Sequence, residues 1–290
     1  MQKLRYNVIE KLIANNVTSS EIDFLLYVSR YQNEKGIAKG IYYRDLCKTL
    51  GVSFQTFYDL KASLCVKGII KAEKNSYYDW DITILDNDCT DPASYQEGYI
   101  NTNHDIFYNP TFFTMKSGAK ILAMIFLKIS FSGRGSYNIG VSKFYDKYTK
   151  LLGVTKRIVQ NYMQLLKSFF SIGIKEKQYW ITPLAKVYRS NGARTEANNY
   201  RNHLGNVICR RGKIKQYTNA ALKDTVDLLK QYTGSVNGQS GLLEELLVNA
   251  VRKSVERANE GVKNTTKWIR ELKPKLVHKC LLDELREYAF

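Results

Sequence analysis

The stretch Leu50-Gly51-Val52-Ser53 recurs 102 positions later as Leu152-Gly153-Val154-Thr155. Each copy precedes a run of residues with helical apolar spacing, then a Gly-Ile step and an aromatic, strand-like segment. Glycine readily adopts the left-handed conformation that ends a helix, while Ser and Thr cap the start of the next helix. The recurrence therefore predicts that one helix-turn-helix design occurs twice in this chain.

The first copy carries apolar residues at helical spacing on both sides of the glycine. Leu46 and Leu50 precede it, and a second core-facing stripe follows it at Phe57, Leu60 and Leu64. The side chains left on the outer face of the second helix are Phe54, Gln55, Tyr58, Asp59 and Lys61. Ile69-Ile70, a turn at Lys74-Asn75-Ser76 and alternation over residues 77–85 then predict a hairpin, which would be the wing of a winged helix.

The second copy repeats this order with a different outer face. Its predicted core-facing positions are Tyr145, Leu151, Leu152, Val159, Tyr162 and Leu166, with Thr155 as the helix cap. Its outward residues are Lys156, Arg157, Gln160 and Asn161. Ile172-Gly173-Ile174, a Lys175-Glu176-Lys177 turn and Tyr179-Trp180-Ile181 predict a shorter wing.

An apolar helix is predicted before each copy, around Leu25 and around Ile125. Thr18 and Glu21 have the spacing of a capping box at the start of the first of these helices. The expected fold class is mainly α with small β wings (α+β). Its expected architecture is two tandem winged helix-turn-helix domains followed by an all-α C-terminal domain.

These patterns divide the chain into five segments. Winged helix-turn-helix domains are expected at residues 1–90 and 111–190, separated at 91–110 by an acidic, turn-rich linker in which residues 99–108 can still add a strand. A basic linker is expected at 191–214, where Arg210 and Arg211 either belong to a flexible hinge or lie along phosphate. Helical periodicity predicts a helical domain over 215–290.

Composition narrows the class of protein. An apolar content of 44% excludes a disordered chain, and no apolar run reaches the ~18 residues that a membrane span needs. The five cysteines stand far apart and are odd in number, which is typical of reduced thiols in the cytosol. The start of the chain lacks a secretory pattern. We therefore expect a cytoplasmic protein, associated with the nucleoid or a plasmid, with no membrane partner.

Charge is concentrated in the second copy. Residues 111–190 hold 14 Lys and Arg against 2 Asp and Glu, a net charge of +12, whereas residues 1–90 hold 12 against 11, a net charge of +1. Residues 91–110 carry −3 and residues 191–290 carry +7. Lys and Arg that neutralise phosphates are the main sequence-independent source of DNA affinity. A basic surface also suits RNA, an acidic membrane or bulk solvent, but its coincidence with a helix-turn-helix favours double-stranded DNA.

The outward residues have the side-chain chemistry of DNA recognition. Arg and Lys pair with guanine and Asn and Gln with adenine, so the predicted major-groove readers are Lys156, Arg157, Gln160 and Asn161. The alternative is that they contact phosphate or solvent only. The predicted backbone contacts are Lys143, Lys147, Lys150, Lys175 and Lys177, which would look the same on a solvated lysine face. In the first copy, Gln55, Tyr58 and Lys61 either contact DNA or lie in a protein contact.

Patterns typical of enzymes are missing from the sequence. The three histidines are isolated, no cysteine pair has zinc-ligand spacing, and no glycine-rich loop has the phosphate-cradling pattern. His278 and Cys280 lie two residues apart and are expected to be a surface or partly buried pair. We expect no catalytic residue, no metal and no cofactor.

Two winged helices in tandem, with the more basic one second, resemble the plasmid and phage replication initiators that bind repeated origin sequences. In that family the first domain is associated with dimerisation and auxiliary DNA contact, and the second with major-groove reading. The resemblance implies a homodimer or higher oligomer on DNA. Residues 244–275, above all the segments from Ala250 to Arg252 and from Asn264 to Leu272, resemble the helical module of DnaD-type primosome proteins. There an aromatic-containing helix after a polar turn helps to bind DNA and recruit replication proteins.

The same DNA chemistry serves three kinds of protein. A replication initiator would occupy repeated origin sites. A transcriptional regulator or repressor would use the same tandem winged helices at an operator, and a segregation or architectural scaffold would spread along DNA. The sequence leaves these three functions open.

Overall fold

The computed structural model of the chain describes residues 2–74, 79–90, 98–132, 135–188, 193–237 and 240–288. Within these ranges the chain is mainly helical and forms three small antiparallel sheets. The predicted class, mainly helical with small β elements, is confirmed. The chain divides into two compact units, residues 1–194 and residues 195–290.

The first part of unit 1 contains four helices and the strands that accompany them. Its elements are β1 (Lys3–Arg5), α1 (Tyr6–Ala14), α2 (Ser19–Ser29), β2 (Ile37–Tyr42), α3 (Tyr43–Leu50), α4 (Phe54–Val66), β3 (Ile70–Lys74), β4 (Asp79–Ile84) and β5 (Tyr99–Asn101). The three-stranded sheet has the order β2-β4-β3, so the last strand lies in the middle. The predicted hairpin is confirmed by the pairing of β3 with β4. Residues 75–78, which hold part of the predicted turn and the first two residues of the predicted second strand, lie outside the described residues.

The second part of unit 1 follows the same order of elements. A 3₁₀ turn (Asp105–Tyr108) leads to α5 (Pro110–Phe113), α6 (Ser117–Ser132), β6 (Tyr137–Gly140), α7 (Val141–Leu152), α8 (Lys156–Leu166), β7 (Phe170–Lys175), β8 (Gln178–Pro183) and a 3₁₀ turn (Ala185–Tyr188). The sheet order is β6-β8-β7. We call α2 to β4 repeat 1 and α6 to β8 repeat 2. Each repeat also contains a strand, β2 or β6, that the apolar spacing did not predict.

The predicted core stripes of both repeats are buried, as helical spacing requires. Phe57, Leu60 and Leu64 of α4 are buried, and so are Val159, Tyr162 and Leu166 of α8. Leu151 is 38% exposed, which departs from its predicted core position. The buried apolar side chains of both repeats form one continuous core. The two repeats are thus parts of a single packed unit.

The segment predicted as an acidic linker contains ordered, buried structure. Leu4 of β1 pairs with Ile100 of β5 in an antiparallel sheet, and Ile100, Ile106 and Phe107 are buried. These apolar side chains are few and lie among turn-forming residues, so the composition of the segment favoured a linker. Strand β5 confirms the expectation that residues 99–108 can add a strand, and Ile100, Ile106 and Phe107 belong to the core of unit 1. Residues 91–97 of the predicted linker lie outside the described residues.

Glu21 ties α2 to α4 and confirms the predicted capping box. Its carboxylate accepts the Thr18 backbone N–H at 2.6 Å, and the Thr18 hydroxyl accepts the Glu21 backbone N–H at 3.3 Å. The same buried carboxylate accepts from the Ser63 hydroxyl and the Lys67 ammonium. Burial acts to raise its pKa, but the donors, Lys67 foremost, outweigh burial and hold the pKa of Glu21 below its usual value.

A buried ion pair connects the two repeats. Lys120 of α6 is fully buried, and its ammonium lies 2.6 and 2.7 Å from the two carboxylate oxygens of Asp23 in α2. It also donates to the Phe113 carbonyl oxygen at 3.1 Å. Burial lowers the pKa of Lys120 and raises the pKa of Asp23, so desolvation opposes both charges. Each charge is tolerated because the other is present.

Removing one partner of this pair should destabilise unit 1 strongly. We expect Lys120→Met to lower the free energy of unfolding by about 3–5 kcal/mol, because Asp23 is left as a buried charge without its cation. The double variant Asp23→Leu/Lys120→Met should recover most of that loss. Urea denaturation followed by circular dichroism measures both. The control is Lys128→Met, in the same helix α6 as Lys120. It breaks an exposed ion pair with Glu10 of α1 and should cost under about 1 kcal/mol. Equal losses in the single and double variants would contradict the prediction.

Unit 2 is helical within its described residues. Its helices are α9 (Ala193–Arg211), α10 (Asn219–Tyr232), α11 (Ser240–Ala258) and α12 (Pro274–Tyr288), with 3₁₀ turns at Thr233–Val236 and Thr265–Lys267. The core includes Leu247, Val251, Val277 and Leu281. In the part of the chain that the structure describes, no helix combines the length and apolar character needed to cross a membrane.

The segment predicted as a basic linker, residues 191–214, is mostly helix α9. Leu204, Ile208 and Cys209 of this helix are buried in the core of unit 2. Leu204, Val207 and Ile208 do recur at helical spacing, but the many Asn, Gly and Arg residues around them favoured a linker. Arg210 and Arg211 consequently lie half-buried at the end of a packed helix, not in a flexible hinge.

Candidate nucleic-acid interface

The turn between α7 and α8 determines how α8 is presented. Gly153 ends α7 with a φ of +61°, in the left-handed region that favours glycine. Thr155 occupies the N-cap position with an extended backbone, yet its side chain makes no capping hydrogen bond with the described residues. In repeat 1, Ser53 holds the equivalent position and its hydroxyl accepts from the Thr56 backbone N–H at 3.1 Å. The predicted turn is confirmed in both repeats.

The outer face of α8 is a row of exposed polar side chains. Lys156, Arg157, Gln160 and Asn161 are all exposed, and Gln164 continues the row one turn later. Helical spacing from Gln160 would have identified Gln164, which the sequence reasoning missed. The Lys156 ammonium lies 4.8 Å from the centre of the Tyr145 ring of α7. Among the described residues, none of these side chains pairs with a carboxylate.

Helix α7 adds a row of lysines beside the same turn. Lys143, Lys147 and Lys150 are exposed at spacings of four and three residues, so they lie along one side of the helix. The opposite side is anchored by aromatic residues: the hydroxyls of Tyr145 and Tyr179 lie 2.7 Å apart, and Tyr148 donates to Tyr137 at 3.1 Å. Hydrogen-bonded rings in the core hold α7, and hence its lysines, in a defined position.

The β7–β8 hairpin presents two more predicted contacts. Lys175 and Lys177 are exposed at its turn, and the Lys175 ammonium lies 4.0 Å from the Glu176 carboxylate. Ile174 and Trp180 also face outward, at 63% and 43% exposure. The turn itself holds two non-glycine residues with positive φ, +52° at Glu176 and +60° at Lys177. Asn and Gly are the residues that such two-residue turns prefer.

Replacing Glu176 and Lys177 with residues that favour positive φ should stabilise the hairpin. We expect Glu176→Asn/Lys177→Gly to raise the free energy of unfolding by about 1 kcal/mol, because a non-glycine residue in the left-handed region costs about 1–2 kcal/mol. Chemical denaturation measures the gain. Glu176→Gln/Lys177→Gln removes the same charges without relieving the backbone and should show no such gain. An equal gain in both variants would mean that charge, not backbone conformation, limits the hairpin.

The equivalent helix of repeat 1 presents aromatic side chains. Phe54 and Tyr58 of α4 are 54% and 41% exposed. The Tyr43 ring centre lies 5.2 Å from that of Phe54 and 6.4 Å from that of Tyr58, and Tyr58 lies 6.4 Å from Trp80. These four rings, Tyr43, Phe54, Tyr58 and Trp80, form a continuous surface that we call the aromatic row.

Gln55 and Lys61, two predicted contact residues of repeat 1, interact with other side chains of the chain. The Gln55 amide donates to the Asp59 carboxylate at 2.8 Å. The Lys61 ammonium lies 3.5 Å from the centre of the Trp80 ring, and burial lowers the pKa of Lys61. The faces of α4 and α8 therefore differ in chemistry, although their buried sides match.

Side chains that could bind a metal are dispersed. Nε2 of His278 lies 2.6 Å from the Tyr232 hydroxyl, and Cys280 is buried, with burial raising its thiol pKa. Within the described ranges, no three His, Cys, Asp or Glu side chains converge as metal ligands.

Comparison of the chain with protein-family models, with curated proteins and with solved structures finds no match.

Proposed function

We propose that this chain binds double-stranded DNA sequence-specifically and initiates the replication of a plasmid or phage at repeated origin sites. Repeats 1 and 2 would be tandem winged helix-turn-helix domains. The single observation that carries the DNA-binding part is the exposed row on α8, which continues from Lys156 to Gln164 beside the lysines of α7. The replication part rests on the resemblance to tandem winged-helix initiators.

The chemistry of the α8 row suits the major groove. The groove is about 12 Å wide and admits one helix. Arg157 can donate two hydrogen bonds to guanine, and Gln160 or Asn161 can pair with adenine through both amide atoms. The lysines of α7 and of the β7–β8 turn would hold the phosphates on either side. Repeat 2 has the strongly positive charge that this arrangement requires.

Repeat 1 would serve as a protein contact between protomers. It is nearly neutral, and the aromatic row exposes the residue types that are enriched in protein interfaces. Gln55 and Lys61, the polar candidates of repeat 1, already have partners in the chain. A homodimer formed through this face would place two copies of α8 on repeated DNA sites.

Arg157 provides the sharpest test of DNA reading. We expect Arg157→Ala to reduce discrimination between the selected site and a single-base variant about fivefold or more, because a bidentate contact contributes about 1–3 kcal/mol. Fluorescence anisotropy with both duplexes at several salt concentrations measures the change. Lys167→Ala, at the exposed C-terminal end of α8, is the matched control and should keep the discrimination. Unchanged affinity and unchanged base preference in Arg157→Ala would refute the role of α8.

Selection of bound fragments from the native genome tests the replication role. We expect the full chain to enrich clustered direct repeats next to a replication origin. A plasmid carrying those repeats should then be maintained in a heterologous host only when the protein is supplied. A single inverted repeat upstream of a promoter would instead identify a transcriptional regulator. Extended protection without discrete sites would identify a segregation or architectural scaffold.

A further inference from the structure

Two distant segments of unit 2 lie side by side. Arg270 is the main point of contact: its carbonyl oxygen accepts the backbone N–H of Lys215 at 2.8 Å and of Gln216 at 3.1 Å. The Leu272 backbone N–H then donates to the Gln216 carbonyl oxygen at 2.9 Å. We call residues 210–217 and 263–275 together the paired-loop surface.

Buried and aromatic groups hold the second segment in place. The buried Asn259 side chain accepts the Ile269 backbone N–H at 2.7 Å and donates to the Ile269 carbonyl oxygen at 2.9 Å. The indole N–H of Trp268 donates to the Val262 carbonyl oxygen at 2.9 Å. The resemblance to DnaD-type modules implied a helix here, but the structure has one 3₁₀ turn followed by non-helical residues 268–273. The backbone is instead used for the contact with residues 215–216.

The paired-loop surface carries the positive charge of unit 2. Its two segments hold nine Lys and Arg and one acidic residue, Glu271, a net charge of +8. Residues 195–290 as a whole hold 17 Lys and Arg and 11 Asp and Glu, a net charge of +6, so the remainder of the unit carries −2. The exposed cations of the surface are Lys213, Lys215, Lys263, Lys267, Lys273 and Lys275. Within the described ranges, none of these six forms an ion pair with a carboxylate.

Exposed π and apolar surface lies among these cations. Tyr217 is 44% exposed, Ile269 is 55% exposed, and Trp268 is partly exposed with the Arg270 guanidinium 6.0 Å from its ring centre. Proteins that bind single strands combine a positive track for the backbone with aromatic rings on which unpaired bases stack. Reading a duplex instead requires a helix or ribbon that enters a groove. In the described part of the paired-loop surface, helical residues occur only in the last turn of α9, one 3₁₀ turn and the start of α12.

We propose that the paired-loop surface binds single-stranded DNA. Its lysines contact the phosphates, and Tyr217 and Trp268 stack on unpaired bases. The binding is independent of base sequence, because every base offers a π face. This activity is distinct from duplex recognition by α8 and stands whether or not α8 reads DNA.

Neutralising three lysines of the surface tests the electrostatic part. The full-length chain is titrated with a labelled thymidine homopolymer in fluorescence anisotropy over a range of salt concentrations. We expect Lys213→Gln/Lys215→Gln/Lys267→Gln to lower the slope of log affinity against log salt by about 2, since each phosphate contact on a single strand contributes about 0.7. The control Lys223→Gln/Lys230→Gln/Arg286→Gln removes three exposed cations elsewhere in unit 2 and should keep the wild-type slope.

Tyr217→Ala tests the stacking part. Because stacking on an aromatic ring contributes about 1–3 kcal/mol per base, we expect about fivefold weaker binding or more, with the salt slope unchanged. Circular dichroism and thermal melting of each variant confirm that unit 2 remains folded. If the lysine variant binds like wild type, or if the control loses as much affinity, the proposal is wrong.

Parallel binding measurements with duplex DNA separate this proposal from duplex recognition by α8. Lys156→Ala/Arg157→Ala should weaken binding to the selected duplex and leave binding to the thymidine strand intact. The lysine variant of the paired-loop surface should bind the thymidine strand more weakly and keep its affinity for the selected duplex. If that variant loses duplex and single-strand affinity equally, the surface is a general phosphate contact and its assignment to single strands is overturned.

Discussion

The left-handed backbone at Gly51 and Gly153 ends one helix and lets the next begin within three residues. Gly153 has open space around the position of a side chain, so the glycine is required by its φ of +61° and not by crowding. With this turn in place, Val159, Tyr162 and Leu166 can enter the core only if Arg157, Gln160 and Asn161 face outward. The chemistry of the candidate interface thus depends on one backbone conformation.

The two repeats show that such a scaffold constrains the buried side more than the exposed side. In both, the turn glycine, a Ser or Thr at the N-cap position of the second helix and the three-stranded sheet recur, and the buried side chains of both repeats form one core. Outside, α4 presents Phe54 and Tyr58 where α8 presents Lys156 and Gln160. Exchanging exposed residues costs little stability, whereas Lys120 and Asp23 must change together because each compensates the other's desolvation. Repeats joined in this way can diverge in binding surface while remaining one folded unit.

Helical spacing and local capping signals predicted the features that depend on neighbouring residues in the sequence. The stripes of α4 and α8, the glycine turns and the Thr18 capping box follow from local chemistry and were confirmed. Strand β2 was missed because a bulge near Gly40 breaks its alternation. Helix α9 was missed although Leu204, Val207 and Ile208 have helical spacing, because the Asn, Gly and Arg residues around them favoured a linker. Contacts between distant residues leave no periodic signal. For this reason neither the Lys120–Asp23 pair nor the joining of Gln216 to Arg270 was expected. Residues 91–110 were assigned to a linker, with a strand within 99–108 left open, and the pairing of β5 with β1 could not be predicted.

Two surfaces with different chemistry follow from two different ways of holding side chains. On α8, a rigid helix sets amides and a guanidinium at fixed spacing, which is what discrimination between bases requires. On the paired-loop surface, backbone hydrogen bonds hold cations and rings together without a regular spacing, which is enough for sequence-independent stacking but not for base-edge recognition. A protein that opens DNA at a defined site needs both properties, because it must find a duplex sequence and then retain strands that no longer pair. Under the two proposals these properties belong to two compact units, so a mutation in one unit can weaken its DNA contact without loss of the other.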